Sequence, residues 1–160
     1  MIIVSDTSPI TNLIQIDHLF ILERLFHKLI IPETVYAELC EIALQKTILD
    51  AQDWITVEPV TNQQLVTELE NELDKGEAES IALALQLQAD YLLMDEMRGR
   101  NIAEEKGLKI VGLLGILVKA KEKKILDSVK SLLDRLMKEA GFRIHLSLYD
   151  RILELAGEKQ

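Results

Sequence analysis

Apolar residues along this chain gather into five short runs: Ile2 to Ser5, Leu29 to Ile31, Ile55 to Val60, Tyr91 to Met94 and Lys109 to Val111. Short apolar runs bounded by turn chemistry predict buried strands. The stretches between them carry helical spacing. Thr7 or Ser8 is placed to cap a helix with Pro9 in its first turn, and the spacing continues through Ile10–Ile16 and Leu19–Phe26. Pro32 ends the second strand, and Glu33-Thr34 opens a helix whose Val35, Leu39, Ile42 and Ala43 share an apolar face. Asn62 to Leu73 predicts a polar helix broken by Asp74-Lys75-Gly76, and Glu77 to Leu87 a helix with Ala78, Ile81, Ala82 and Leu85 on one side. Arg98–Lys106 is helical and closed by Gly107, and Leu113 begins the next helix.

Strands alternating with helices predict a parallel sheet covered on both faces, an α/β fold in three layers. Beyond about Lys121 the strand signal vanishes, and Ile125–Glu139 and Leu146–Leu155 predict two amphipathic helices. The expected organisation is a core over residues 1–120 and a helical extension over 121–160 packed on the same domain. At 160 residues the chain is long enough to bury a core without staples.

A single cysteine, Cys40, excludes an intrachain disulfide and a thiolate metal cluster, and reads as a small core residue. The opening Ile2-Ile3-Val4 is too short for a signal peptide, and no apolar stretch approaches the roughly 20 residues that span a bilayer. A cytoplasmic protein without a membrane partner is expected. His18, His27 and His145 are scattered without metal-ligand spacing, and no Gly-rich phosphate loop is present. The net charge of −9 weighs against a nucleic-acid partner. It does not exclude one, because acids that hold divalent cations are themselves a source of negative charge, which bound metal reverses locally.

Ligand sites in open parallel sheets lie beyond the carboxyl ends of the strands. Asp6 directly follows the first strand and Asp95 the fourth, while Glu77 and Glu38 fall near helix beginnings. Each has an ordinary explanation alone: a turn or cap for Asp6 and Asp95, a first-turn acid for Glu77, a solvated face for Glu38. Gathered together, they would repel one another, and divalent cations relieve that cost. Mg²⁺ takes oxygen ligands, and paired ions can activate water against a phosphodiester.

Four blocks in order, Ile2-Ile3-Val4-Ser5-Asp6-Thr7-Ser8, Pro32 to Glu38, Gly76 to Ala84 and Ala89 to Glu96, resemble the PIN-domain family, in particular its VapC-like branch. The resemblance covers roughly residues 1–118. It implies a PIN-like three-layer α/β/α fold and a Mg²⁺- or Mn²⁺-dependent ribonuclease. Its acids would be Asp6, Glu38, Glu77 and Asp95, with Glu79 and Glu96 as reserves, and a hydroxyl from Thr7 or Ser8 would lie near the metal. The third acid is often Asp in the wider family, so the Gly-Glu-Ala-Glu string leaves the register between Glu77 and Glu79 open. The resemblance further implies a homodimer, and an antitoxin partner if the chain is a toxin.

Arg98 and Arg100 stand where they could meet RNA phosphates, or could lie on a solvated helix face or pair with Glu104. Lys119, Lys121, Lys123 and Lys124 form the densest basic stretch, a candidate RNA contact or ordinary surface charge. Three other readings compete: a DNA-directed nuclease, a non-catalytic PIN-fold interaction module, and a receiver-like or flavodoxin-like domain using Asp6 and Asp95 for one Mg²⁺. The last expects five regular βα units, which the early helical block and the helical tail do not match.

Overall fold

Side chains along the inner strands alternate between two separate cores. The computed structural model describes residues 1–159. In it, strands β1 (Ile3–Ser5), β2 (Leu29–Pro32), β3 (Ile55–Glu58), β4 (Tyr91–Leu93) and β5 (Ile110–Val111) form one parallel sheet. Ile3, Leu29, Ile31 and Leu93 face one core, while Val4, Ile30, Leu92 and Met94 face the other. This period of two, apolar on both sides, is what a sheet covered on both faces requires.

The first core is closed by α1 (Thr7–Gln15), α2 (Phe20–Phe26), α3 (Glu33–Leu39), α4 (Ala43–Asp50), α8 (Leu113–Glu122), α9 (Val129–Glu139) and α10 (Leu146–Leu155). The second is closed by α5 (Gln63–Leu69), α6 (Lys75–Leu87) and α7 (Met97–Glu105). Small residues Ala78, Ala82 and Ala84 let α6 lie close on the sheet, and all three are buried. The result is the expected three-layer α/β/α arrangement. Among the described residues no helix is long and apolar enough to cross a membrane.

Strand order is β3-β2-β1-β4-β5. The chain builds outward from β1 to β3, then returns to lay β4 on the other side of β1. The order therefore reverses between β1 and β4, and such a switch point is where open α/β sheets leave a crevice for ligands.

Several element boundaries differ from the sequence-based expectation. The helix expected to carry Val35, Leu39, Ile42 and Ala43 on one face is interrupted at Cys40–Ile42. Ile42 has an extended backbone, caps α4 and is 52% exposed, so α3 buries only Val35 and Leu39. The polar helix expected to reach Leu73 ends at Leu69. Asp74-Lys75-Gly76 does not break a helix but starts one. Asp74 accepts the Glu77 N–H (2.8 Å) while Glu77 accepts the Asp74 N–H (3.1 Å). This reciprocal cap offsets the roughly 1 kcal/mol that a helical glycine costs. α1 is not capped by Thr7 or Ser8, which lie within its first turn; Asp6 holds the cap position, with no side-chain cap bond. The helix expected from Ile125 starts at Val129, where the Ser128 hydroxyl accepts the Ser131 N–H.

The C-terminal helices share the first core: Leu132, Leu133, Leu136 and Ile152 join the cluster that contains Ile3 and Ile10. Glu158 ties them down. Its carboxylate accepts the N–H groups of Val129 (2.6 Å) and Lys130 (3.0 Å) at the start of α9 and pairs with Lys121 at 2.9 Å.

Candidate active site

Two strand ends place two carboxylates at the switch point. The Asp6 N–H donates to the Leu93 carbonyl (2.9 Å), which stitches the end of β1 to the end of β4. Asp6 is the first residue after β1 and Asp95 the second after β4, beyond Met94, so both follow the carboxyl ends of adjacent strands. Asp95 is not among the carboxylates that raise the Asp6 pKa. Asp6 is only 6% exposed, and no helix amide of the second or third position binds its carboxylate. Burial pushes its pKa from 3.8 up to about 7; the Thr7 amide opposes the rise, and the carboxylates of Glu77, Asp74 and Glu38 add to it.

Glu38 reaches the site from the last turn of α3. Its Oε2 accepts the Thr7 hydroxyl at 2.7 Å, and Gly76 at the start of α6 lies against its other oxygen. A Cβ on Gly76 would stand 2.6 Å from Glu38 Oε1, so the absence of a side chain there is what admits the carboxylate. Glu77 is half-buried. One of its oxygens is engaged by the Asp74 amide, while Oε2 lies near Gly99 of α7. Burial raises its pKa, and the carboxylates of Asp74 and Glu96 contribute.

Asp95 Oδ1 accepts the Leu113 N–H at the start of α8 (2.7 Å), whereas Oδ2 is buried and has no hydrogen-bond partner. Burial raises its pKa against the opposing Leu113 amide and Arg100 guanidinium. Gly112 leaves room for both groups: a Cβ there would meet Arg100 Nη1 at 2.8 Å and Asp95 Oδ1 at 3.2 Å.

The reserve acids have other surroundings. Glu79 is buried and accepts the Thr34 N–H in the first turn of α3 (3.1 Å), joining α6 to α3. It is not among the carboxylates that raise the Asp6 pKa, whereas Glu77 is. Glu96 is exposed at the cap position of α7. Ser8 is exposed and lines a cavity of about 250 Å³ with Asn12, Asp95 and Glu96. Arg98 is exposed and pairs with Glu72 at 3.6 Å, not with Glu104. A larger cavity of about 610 Å³, lined by Ile2, Lys28 and Trp54 among others, holds none of the four acids.

Three residues of this region escaped the sequence reading. Asp74 was legible as the first acid of an Asp-x-x-Glu capping pattern, which the adjacent glycine disguised as a break. Asn12 and the tail residue Arg143, both at the 250 Å³ cavity, carried no local signal.

Among the described residues no three His, Cys, Asp or Glu side chains are arranged to hold a metal ion as they stand. The donor chemistry nevertheless fits a hard divalent cation: all-oxygen ligands, an uncapped buried Asp6 and an unpartnered Asp95 Oδ2. Mg²⁺ usually takes only one or two protein carboxylates and keeps several waters.

A family model described as a PIN domain matches residues 2–158, running through both the strand-rich part and the C-terminal helices. A search of curated proteins finds no match. PIN domains are a nuclease-type fold that typically binds divalent metals, and the oxygen donors of this region are of the kind such ions take. With the match spanning nearly all of its length, the chain belongs to the PIN-domain family.

Proposed function

We propose that this protein is a metal-dependent endoribonuclease that hydrolyses RNA phosphodiester bonds at the β1/β4 crevice. One observation supports the reading: Asp6, at the end of β1, is buried with the carboxylates of Glu77, Asp74 and Glu38 close enough to raise its pKa. A cation bound there would relieve the cost of burying a carboxylate beside other carboxylates.

Asp6, Glu38, Glu77 and Asp95 would hold Mg²⁺ or Mn²⁺. When bound, the ion supplies an activated water and neutralises charge on the phosphodiester. The chain's own groups prepare the site. The Thr7 hydroxyl aims Glu38, the Leu113 amide fixes Asp95, and the Asp74–Glu77 cap sets the first turn of α6. Arg100 places positive charge at the crevice edge, where phosphate oxygens would arrive.

On the same reading the protein acts in the cytoplasm as a homodimer. Its activity would be held in check by an antitoxin if it serves as a toxin. The deciding experiment is cleavage of varied single-stranded RNAs with Mg²⁺ or Mn²⁺, using wild type, Asp6→Asn and EDTA-treated protein, with matched DNAs in parallel. RNA cleavage by wild type alone supports the proposal, and preferential DNA cleavage redirects it. Absence of cleavage, with Asp6→Asn identical to wild type in metal-binding calorimetry, overturns it in favour of an interaction module.

A further inference from the structure

We propose that the linker between α9 and α10 forms one wall of the RNA groove, and that Arg143 in it holds a backbone phosphate beside the cleavage position. This rests on the ribonuclease reading above. Residues 140–143 line the same 250 Å³ cavity as Ser8 and Asn12 of α1 and as Asp95 and Glu96 after β4. A segment more than forty residues beyond those acids therefore lies beside Asp95 and Glu96.

The linker is held in place. Gly141 takes a left-handed backbone (φ 67°), which turns the chain sharply off α9. The Phe142 N–H then donates to the Leu136 carbonyl at 3.0 Å, and the Phe142 side chain packs against the first core. Arg143 follows this anchored residue and is exposed.

Its position is the informative feature. Among the described residues Arg143 forms no ion pair, a state it shares with Arg24, Arg100 and Arg151, while Arg98 and Arg135 are paired. Yet it shares a cavity with Asp95 and Glu96. An arginine that lines a cavity with carboxylates and pairs with none of them leaves its guanidinium free for an anion there. Its planar fork suits phosphate oxygens. Ser8 and Asn12 add neutral donors and acceptors on the cavity floor, which suit the ribose hydroxyls and base edges of an unpaired nucleotide. The occupant that satisfies all these groups is a single-stranded RNA segment, and on a chain of net charge −9 such cations are needed where its phosphates pass.

The test uses the full chain in two assays. Binding of a labelled short single-stranded RNA is read by fluorescence anisotropy in the non-cleaving Asp6→Asn protein, with and without Arg143→Ala or Arg143→Lys. Steady-state cleavage is read in the wild-type background. Arg143→Ala should weaken RNA binding about tenfold, the loss expected for one charge-assisted contact. It should also reduce the slope of log affinity against log salt by about 0.7, one single-strand phosphate. The loss in kcat/KM should fall on KM, and Arg143→Lys should restore the salt slope. Unchanged affinity and slope in Arg143→Ala overturn the inference while cleavage by wild type leaves the ribonuclease reading standing. Lost cleavage with RNA affinity and slope retained also overturns it, since the linker would then act only on the fold. If wild type neither binds nor cleaves RNA, both readings fall together.

Discussion

Replacing Asp6 with Asn should stabilise the metal-free protein while abolishing its activity. In the unfolded chain the carboxyl ionises near 3.8, and in the fold near 7, because it is buried among other acids. Between those values the folded protein keeps a proton that the unfolded chain has released, so stability falls as pH rises through the interval and levels off above it. At about 1.4 kcal/mol for each tenfold change in proton affinity, the cost approaches about 4 kcal/mol by pH 8 and is below about 1 kcal/mol at pH 4. Asparagine is nearly isosteric and avoids the charge, so Asp6→Asn should recover much of this. For a domain of this size the gain corresponds to roughly 5–15 °C in Tm. The assay is thermal unfolding in EDTA across pH 4–8 for both proteins. The Tm difference should open steadily with pH, and Mn²⁺ should narrow it by raising the wild type alone. A Tm difference that is flat with pH, or a wild type more stable than the variant at pH 8, would refute the view that Asp6 is a strained acid awaiting a cation.

Three further outcomes follow from the site's packing. Gly76→Ala puts a methyl 2.6 Å from Glu38 Oε1. The better helix propensity should keep stability within about 1 kcal/mol, while Mn²⁺ affinity by calorimetry drops by roughly tenfold or more as Glu38 is pushed aside. Asp74→Ala removes the cap of α6 and should cost about 1 kcal/mol in urea unfolding. It also removes one of the acids that raise the Asp6 pKa, so an NMR titration should find Asp6 ionising at lower pH. Glu158→Ala strips the start of α9 of its acceptor and Lys121 of its partner, and should cost roughly 2 kcal/mol. Because Glu158 holds the two tail helices together, its loss should also speed hydrogen exchange of the α9 amides.

The parts of this fold that were legible in sequence are those written in local periodicity. Each strand is a short apolar run ended by polar or turn-forming residues, and the two acids that follow β1 and β4 are marked by position alone. Strand order is not written that way, since an apolar run does not say which neighbour it pairs with. The switch point that gives Asp6 and Asp95 their meaning was therefore visible only in the sheet. Ile42 shows a second limit. It sits at helical spacing from Leu39, yet the backbone turns at Cys40–Ile42 and leaves it exposed. Gly76 shows a third, because a glycine that reads as a breaker is here a contact surface for Glu38, a requirement set by a residue 38 positions away. The choice between Glu77 and Glu79 also turned on tertiary contacts: Glu79 is drawn to the α3 amide of Thr34, and Glu77 to the acids around Asp6.

The distribution of cations bears on how so acidic a chain could hold RNA. The lysine stretch is its densest basic feature in sequence, but α8 carries it away from the acids. Leu113 at the start of that helix binds Asp95, and Lys123 lies ten residues on, about 15 Å at 1.5 Å per residue. Lys119 sits 5.4 Å over the ring of Tyr91, the residue that opens β4 at its opposite end, and Lys121 is occupied by Glu158. The cations that border the crevice are arginines instead: Arg100 beside Asp95, and Arg143 across the cavity. Two guanidiniums beside these acids favour an anion at one place, while the surplus of acids repels it elsewhere. On the ribonuclease reading, local arrangement rather than net charge decides where a phosphate can sit, and a divalent ion among the acids would complete the positive side of that arrangement.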